Sequence, residues 1–227
     1  MSLLNIDQNP KTKKGQKKGY LTGILYLKPT KSLCQSSTKE CRSTCLNLAG
    51  RGAMKSVQDS RKRKTNYFLD DQDKFMAELV LDIRKLVKKA KKLKMLPAIR
   101  LNGTSDVDWE NIRFKDGKNI FELFPIEQFY DYTKRVDRDY SIRNYNLTFS
   151  YSGNNRKECL GMLSNGISVA ILGSRYTAIQ FRGGLPKSIG IQDGDVDDLR
   201  FLDSPRSIIY LKPKGKAKTI TNSFTRV

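Results

Sequence analysis

Three of the four cysteines of this chain fall within KSLCQSSTKECRSTCLNLAGRG, residues 31–52, and the chain has no histidine. Cys34, Cys41 and Cys45 follow a C-x6-C-x3-C spacing that runs into Gly50, Arg51 and Gly52. Three thiolates from one loop can ligate a zinc ion, or three irons of an iron–sulfur cluster, and leave one position open. If residues 41–45 are helical, Cys41 and Cys45 lie one turn apart on one face, and Cys34 can fold back to them. Cys159 is a candidate fourth ligand or a small buried apolar side chain. The spacing fits no zinc ribbon, which pairs its cysteines as C-x2-C, and no histidine can complete a mixed site. Redox-active thiols and inert packing are the competing readings.

A second set of groups could act on phosphate. In QFYDYTK (128–134), Tyr130 or Tyr132 could attack a phosphodiester, with Asp106 and Asp195 holding Mg²⁺ and Lys134 stabilising charge. Strand alternation puts both tyrosines on one face and Asp131 on the other, and a core role for the rings is the competing reading. DGDVDD (193–198) resembles a calcium loop only in acidity, since its glycine is second and no glutamate closes it. Asp193, Asp195 and Asp198 could bind Mg²⁺, pair with Arg200 and nearby lysines, or cap a turn. AGRGAMKS (49–56) fails the P-loop rule because Met54 stands where the second glycine belongs. Gly50 to Gly52 could still cradle a phosphate or a cofactor carboxylate, or simply form a tight turn. The missing histidine removes Ser-His-Asp hydrolysis, the His-hydrophobic-His metal site and the usual general base near neutral pH.

These side chains need a scaffold. YLTGILYL (20–27), AIRLNGTSD (98–106), QFYDYTK (128–134), YNLTFSYSG (145–153), ISVAILGS (167–174), SIGIQDGD (188–195) and SIIYLKPKG (207–215) each read as a strand running into polar sequence. A helix starting near Cys41 or beyond Gly52 is expected to continue through MKSVQDSRKRKTNYF. The clearest helix is DDQDKFMAELVLDIRKLVKKAKKLKML. Its Phe75, Leu79, Ile83, Leu86, Ala90 and Leu93 recur at helical spacing, and Asp70 to Asp73 suit its N-terminal end. A further helical or loop stretch covers 154–166. Strands alternating with helices predict an α/β fold, a partial or complete parallel α/β barrel, or an open parallel sheet. Residues 1–18 read as a flexible basic arm, 19–220 as a single barrel-like domain, and 221–227 as a C-terminal tail. In parallel βα folds ligands gather at the carboxyl ends of the strands, so the thiols and the polar segments after each strand are expected at one mouth.

Composition narrows the partners. Lys plus Arg number 43 against 23 acids, a formal charge of +20 over 227 residues. Five of the lysines fall between Lys11 and Lys18, and more line the outer face of the helix from Arg84 to Lys94. Such clustering attracts polyanions, nucleic acid first among them, and DNA in particular. No apolar run is long enough for a membrane span, and the N-terminus lacks the pattern of a secretion signal. Unpaired cysteines then predict a reducing cytoplasm. Oligomeric state is not legible.

Strand, three-cysteine loop and helix, opening a parallel α/β domain, resemble the layout of radical S-adenosylmethionine enzymes. Their usual C-x3-C-x2-C differs from the spacing here. That resemblance implies a cluster whose open iron takes S-adenosylmethionine. The cysteine stretch with AGRG, IRLNGTSD, FYDYTK, DGDVDDLRFLD and LKPKGKAK also resemble phage-encoded proteins of the gene product eighty-eight type, over roughly residues 15–220. This likeness implies a phage or mobile-element origin and little about reaction.

The expectation is therefore an enzyme with Cys34, Cys41 and Cys45 as metal ligands. Asp106, Asp131, Lys134, Asp193, Asp195, Tyr130 and Tyr132 are its candidate catalytic residues. Asn102, Thr104, Arg51, Arg200, Lys212 and Lys214 are candidates for binding substrate. The alternatives are a DNA-binding replication or recombination protein, such as a tyrosine-dependent nickase with structural cysteines, and a non-catalytic nucleic-acid binder.

Overall fold

The computed structural model describes residues 2–6, 10–220 and 222–224. Residues 1, 7–9, 221 and 225–227 lie outside the described residues, and with them most of the tail expected over 221–227. The chain begins with β1 (Leu4–Ile6), α1 (Pro10–Gln16), β2 (Tyr20–Leu25), α2 (Lys39–Ser43), α3 (Lys55–Asp70), α4 (Gln72–Lys92) and β3 (Leu96–Arg100). It continues with α5 (Ile120–Leu123), β4 (Gln128–Thr133), β5 (Tyr145–Ser150), α6 (Arg156–Ser164), β6 (Val169–Leu172), α7 (Arg175–Arg182), β7 (Gly190–Asp193) and β8 (Ser207–Leu211).

All strands join one sheet in the order β1-β2-β3-β4-β5-β6-β8-β7. Only β1 is antiparallel to its neighbour. The sheet is open, with β1 and β7 at its edges, so of the expected alternatives the complete barrel is not formed and the open, mainly parallel sheet is. From β2 to β6 each strand is laid beside the last in one direction. Right-handed crossovers between such strands place the intervening helices on one face. Phe75, Leu79, Ile83 and Leu86 of α4 pack there with Leu21, Ile99 and Phe129, while Cys159 and Leu163 of α6 and Phe181 of α7 pack with Phe149, Val169 and Ile208.

The last step reverses direction. β8 inserts between β6 and β7, so the right-handed connection from β7 to β8 must cross the opposite face. Leu199 and Phe201 of that connection pack with Tyr20, Ala98 and Tyr130, on the face away from the helices.

The helix expected over 70–96 is α4. Asp71 caps it by accepting the Lys74 N–H at 3.1 Å. Its apolar stripe is buried through Ala90, but Leu93, predicted to continue it, is the C-cap and remains exposed. The seven predicted strands are all present and stop earlier than expected, because their polar ends leave the ladder to build loops.

The segment expected to be a flexible arm instead holds β1 and α1. Asp82 of α4 accepts the N–H of Leu3 at 2.6 Å, and the Lys64 ammonium donates to the Leu3 carbonyl at 2.7 Å. On α1, Lys11 donates to the Gly194 carbonyl at 2.8 Å and pairs with Asp195 at 2.7 Å. The N-terminal segment thus supplies one edge strand, β1, and is held by residues following the other, β7.

Candidate functional site

Because β2 to β8 are parallel, their carboxyl ends share one rim. The thiols lie on the connection leaving β2. Thr38 caps α2 by accepting the Cys41 N–H at 3.1 Å, and its hydroxyl donates to the Ser152 carbonyl beyond β5 at 3.2 Å. α2 stops at Ser43, so Cys41 is helical and Cys45 is not. Its sulfur instead accepts the Asn47 N–H at 3.5 Å. Asn47 is buried and takes the Arg61 guanidinium of α3 on its side-chain oxygen at 2.7 Å.

The three thiols are half-buried. Burial pushes the Cys34 thiol up to about 12, reinforced by Asp106, Cys45 and Cys41 and opposed by Lys134. Burial also raises Cys45, with Cys41 adding to it and the Asn47 N–H, Lys134 and Arg61 opposing. Cys159 stands apart. It is fully buried on α6, and its pKa is pushed up to about 12, first by burial and next by Glu158. Cys159 packs within the core under β5, β6 and β8 with Phe149, Val169 and Ile208.

The predicted substrate residues after β3 turn out to build the rim. Asn102 is buried, and its side-chain oxygen accepts from Ser105 Oγ at 2.9 Å, the Val107 N–H at 2.8 Å and Trp109 Nε1 at 3.2 Å. Thr104 donates to the Leu27 carbonyl at 2.6 Å, tying this turn to the end of β2. Asp131 is wholly enclosed and accepts the Asn102 N–H at 2.8 Å and the Tyr145 hydroxyl at 3.1 Å. Burial pushes its carboxyl up to about 7 against Arg100, the Asn102 N–H, Arg138 and Tyr145. Asn102, expected to bind substrate, and Asp131, expected to be catalytic, are both enclosed and bonded to main-chain and side-chain partners of the rim.

Asp106 and Lys134 remain beside the thiols. The Asp106 N–H donates to the Leu33 carbonyl at 2.9 Å, and its carboxylate accepts the Lys134 N–H at 2.9 Å and Arg138 Nη1 at 3.1 Å. The Lys134 ammonium lies 5.5 Å from the Phe224 ring centre. Arg51 is exposed in the short turn Gly50–Ala53. Gly52 in that turn is packed so closely that a Cβ would meet the Asn47 carbonyl at 2.9 Å, which makes this stretch a tight turn rather than a phosphate cradle.

Tyr130 and Tyr132 do share a strand face, the one away from the helices, and neither is an exposed nucleophile. The Tyr130 hydroxyl is buried and donates to Asp198 at 3.0 Å. Arg100 also donates to Asp198 at 3.0 Å and lies over the Tyr132 ring at 4.8 Å. Burial raises both phenols, Tyr130 with help from Asp198 and Tyr132 against Arg200. Arg200, also predicted to meet substrate, is buried and donates to the Asp197 carbonyl at 2.9 Å while pairing with Asp203 at 3.1 Å. The crossover from β7 to β8 has filled this face with its own ion pairs.

The remaining candidates gather after β7 and β8. Asp193 accepts the Asp195 N–H at 2.8 Å. Asp195 pairs with Lys11 at 2.7 Å and Lys214 at 3.1 Å, and accepts the Lys212 N–H at 2.7 Å. Burial would raise its pKa, but these hydrogen bonds and charges hold it well below the usual carboxylate range. The chain then runs back along the rim: Gly215 abuts Ala49, and Ser223 and Phe224 abut Gly153. Two groups of side chains thus occupy the rim, a thiol group over β2 to β5 and a lysine group over β7 and β8.

Sequence reading missed the buried pair of Arg138 and Glu110, in which Nη2 donates to Oε2 at 2.8 Å. It also missed Arg100, and it did not foresee that Lys11 and Lys14 of the basic stretch meet Lys218 in one place. An arginine inside a β-branched strand, as in AIRL, was the available signal for Arg100.

A family model described as gene product 88 matches residues 2–226. The chain belongs to the gene product 88 family. That membership agrees with the expected phage origin and names no reaction. No curated protein and no solved structure matches the chain. Among the described residues no three or more Cys, Asp or Glu side chains are arranged to hold a metal ion, and no helix is long and apolar enough to cross a membrane. Cys34, Cys41 and Cys45 are each half-buried on the one connection leaving β2, and thiolate is the donor type that a zinc ion or an iron–sulfur cluster would take.

Proposed function

We propose that this gene product 88 chain is an enzyme that holds an iron–sulfur cluster or a zinc ion on Cys34, Cys41 and Cys45 and works on or beside nucleic acid, inside a reducing host cytoplasm. The observation that carries the reading is the placement of three half-buried thiols on the one connection leaving β2, at the carboxyl end of the first parallel strand, with the Asp106 N–H bonded to the Leu33 carbonyl next to Cys34. Three thiolates leave one metal position open, where Lewis-acid or redox chemistry is supplied when the metal is bound. Lys134 favours the thiolate forms that ligation needs, and Asp106 holds the start of the Lys134 connection by its main chain. Thr38 fixes Cys41 at the first turn of α2. The charge of +20 supports a polyanionic substrate or template. S-adenosylmethionine belongs to this reading only if the metal is a cluster.

The test is metal analysis of protein purified without oxygen, with Cys34→Ala/Cys41→Ala/Cys45→Ala and Cys159→Ala beside it. Iron and sulfide with absorbance at roughly 400 nm identify a cluster, and a colourless protein with stoichiometric zinc identifies a zinc site. In either case the triple variant loses the metal and Cys159→Ala keeps it. Protein that retains neither metal, or a triple variant that retains it fully, overturns the proposal.

A further inference from the structure

The lysine group lies where the fold changes direction. The connection leaving β6 enters α7 on the helical face, and the one leaving β7 crosses to the other face. In open parallel sheets the crevice outside the carboxyl ends at such a reversal is where ligands bind. A cleft of about 390 Å³ opens at this place, lined by Lys11, Lys14, Lys212, Lys214 and Lys218 around the single carboxylate of Asp195. Five ammonium groups against one carboxylate leave an excess of four positive charges.

The arrangement of the charges is informative. Asp195 is engaged by Lys11 and Lys214, while the Lys14 ammonium donates to the Asp195 main-chain carbonyl at 3.0 Å. Among the described residues the ammonium groups of Lys212 and Lys218 form no ion pair. Asp195 therefore orders the cleft without neutralising it, and two exposed cations face the same concavity. Like charges brought together in a concave wall repel one another unless an anion joins them. Oxygen-rich, multiply charged phosphate is the anion that several ammonium groups can share.

We infer that this cleft is a phosphate-binding site, taking either the backbone of a nucleic acid or a free polyphosphate such as that of a nucleotide. It is separate from the thiol group, and it deepens only the nucleic-acid part of the reading above. Gly215, beyond the cleft, abuts Ala49 next to the thiol loop, so a strand held here would lie along the same rim.

Calorimetric titration of the full chain with inorganic tripolyphosphate, and separately with a short thymidine oligonucleotide, tests this. Lys212→Ala/Lys218→Ala, both exposed positions, is compared with Lys88→Ala/Lys92→Ala on α4, which removes the same charge elsewhere. The cleft variant is expected to weaken one or both ligands by about tenfold, and the α4 variant by less than about twofold. Loss confined to tripolyphosphate assigns the site to a free polyphosphate, and loss for the oligonucleotide assigns it to nucleic acid. Equal weakening by both variants, no weakening by the cleft variant, or no binding of either ligand overturns the proposal. Metal content is unaffected by any of these outcomes, so failure here and failure of the thiol site are distinguishable.

Discussion

The carboxylate of Asp106, beyond β3, accepts the main-chain N–H of Lys134, beyond β4, at 2.9 Å. The two side chains then act on Cys34 in opposite senses, Asp106 raising the thiol pKa and Lys134 lowering it. Asp106→Asn should therefore lower the Cys34 pKa and speed its alkylation at mildly alkaline pH. Lys134→Met should slow it. Mass-spectrometric rates for Cys34 across pH decide this, and equal rates in both variants would show that burial alone governs the thiol.

Metal uptake should release protons. Burial holds the Cys34 and Cys45 thiols neutral near pH 7, with pKa values raised above that of a free thiol. Ligation requires thiolates. Zinc affinity should accordingly rise with pH, and calorimetry in buffers of different ionisation enthalpy should detect proton release. Uptake with no proton release would mean that the cysteines are not the ligands.

Asp131 makes stability depend on pH in an unusual direction. Its folded pKa, about 7, lies above the ordinary carboxylate value, so between about pH 4 and 7 the folded state binds more protons than the unfolded state. The stabilising contribution is full below the ordinary value and is lost as pH rises through 7. Denaturant titrations of Asp131→Asn should lose that slope. Asp131→Ala strands the Asn102 and Leu101 N–H groups and should cost about 2–4 kcal/mol.

Gly103 lies where the β3 connection meets the end of β2, donating its N–H to the Leu25 carbonyl at 3.0 Å. A Cβ there would come within 2.6 Å of Tyr26 and 2.7 Å of both Ile24 Cγ2 and the Leu25 carbonyl. Gly103→Ala should cost about 1–3 kcal/mol by forcing the two connections apart. An unchanged melting temperature would mean that the rim accommodates the shift freely.

Replacing both Tyr130 and Tyr132 by Phe should leave any DNA handling intact. The change should cost about 0.5–1.5 kcal/mol for the lost hydrogen bond to Asp198. Abolition of nicking by this variant, in protein that still folds, would return a tyrosine nucleophile to the site.

The sequence revealed elements whose signal is local. The stripe from Phe75 to Ala90 and the β-branched runs of seven strands announced themselves, because burial of one face imposes a short period. Three kinds of feature depend on distant partners. β1 is only three residues long, and its pairing rests on Leu25, Ile24 and Gly23. The exchanged positions of β7 and β8 depend on which neighbour a parallel strand chooses, and periodicity does not encode that. Buried charges are hardest: Arg100 finds Asp198 across 98 residues, so a residue that local polarity marks as exposed becomes internal. Asn102 and Asp131 were picked out as polar residues at strand ends. Position alone could not separate a group facing a ligand from one holding the loop together.

The placement of α1 also bears on how the molecule is made. Its Lys11 is translated 184 residues before the Asp195 that holds it. On a ribosome adding about 5–20 residues per second, that is a wait of roughly 10–40 s. During synthesis this lysine-rich segment is exposed to the RNA-dense surroundings of the exit tunnel until Asp195 has emerged to hold it. A fusion partner at the C-terminus would leave that order unchanged, whereas one at the N-terminus would burden the segment that must wait for Asp195.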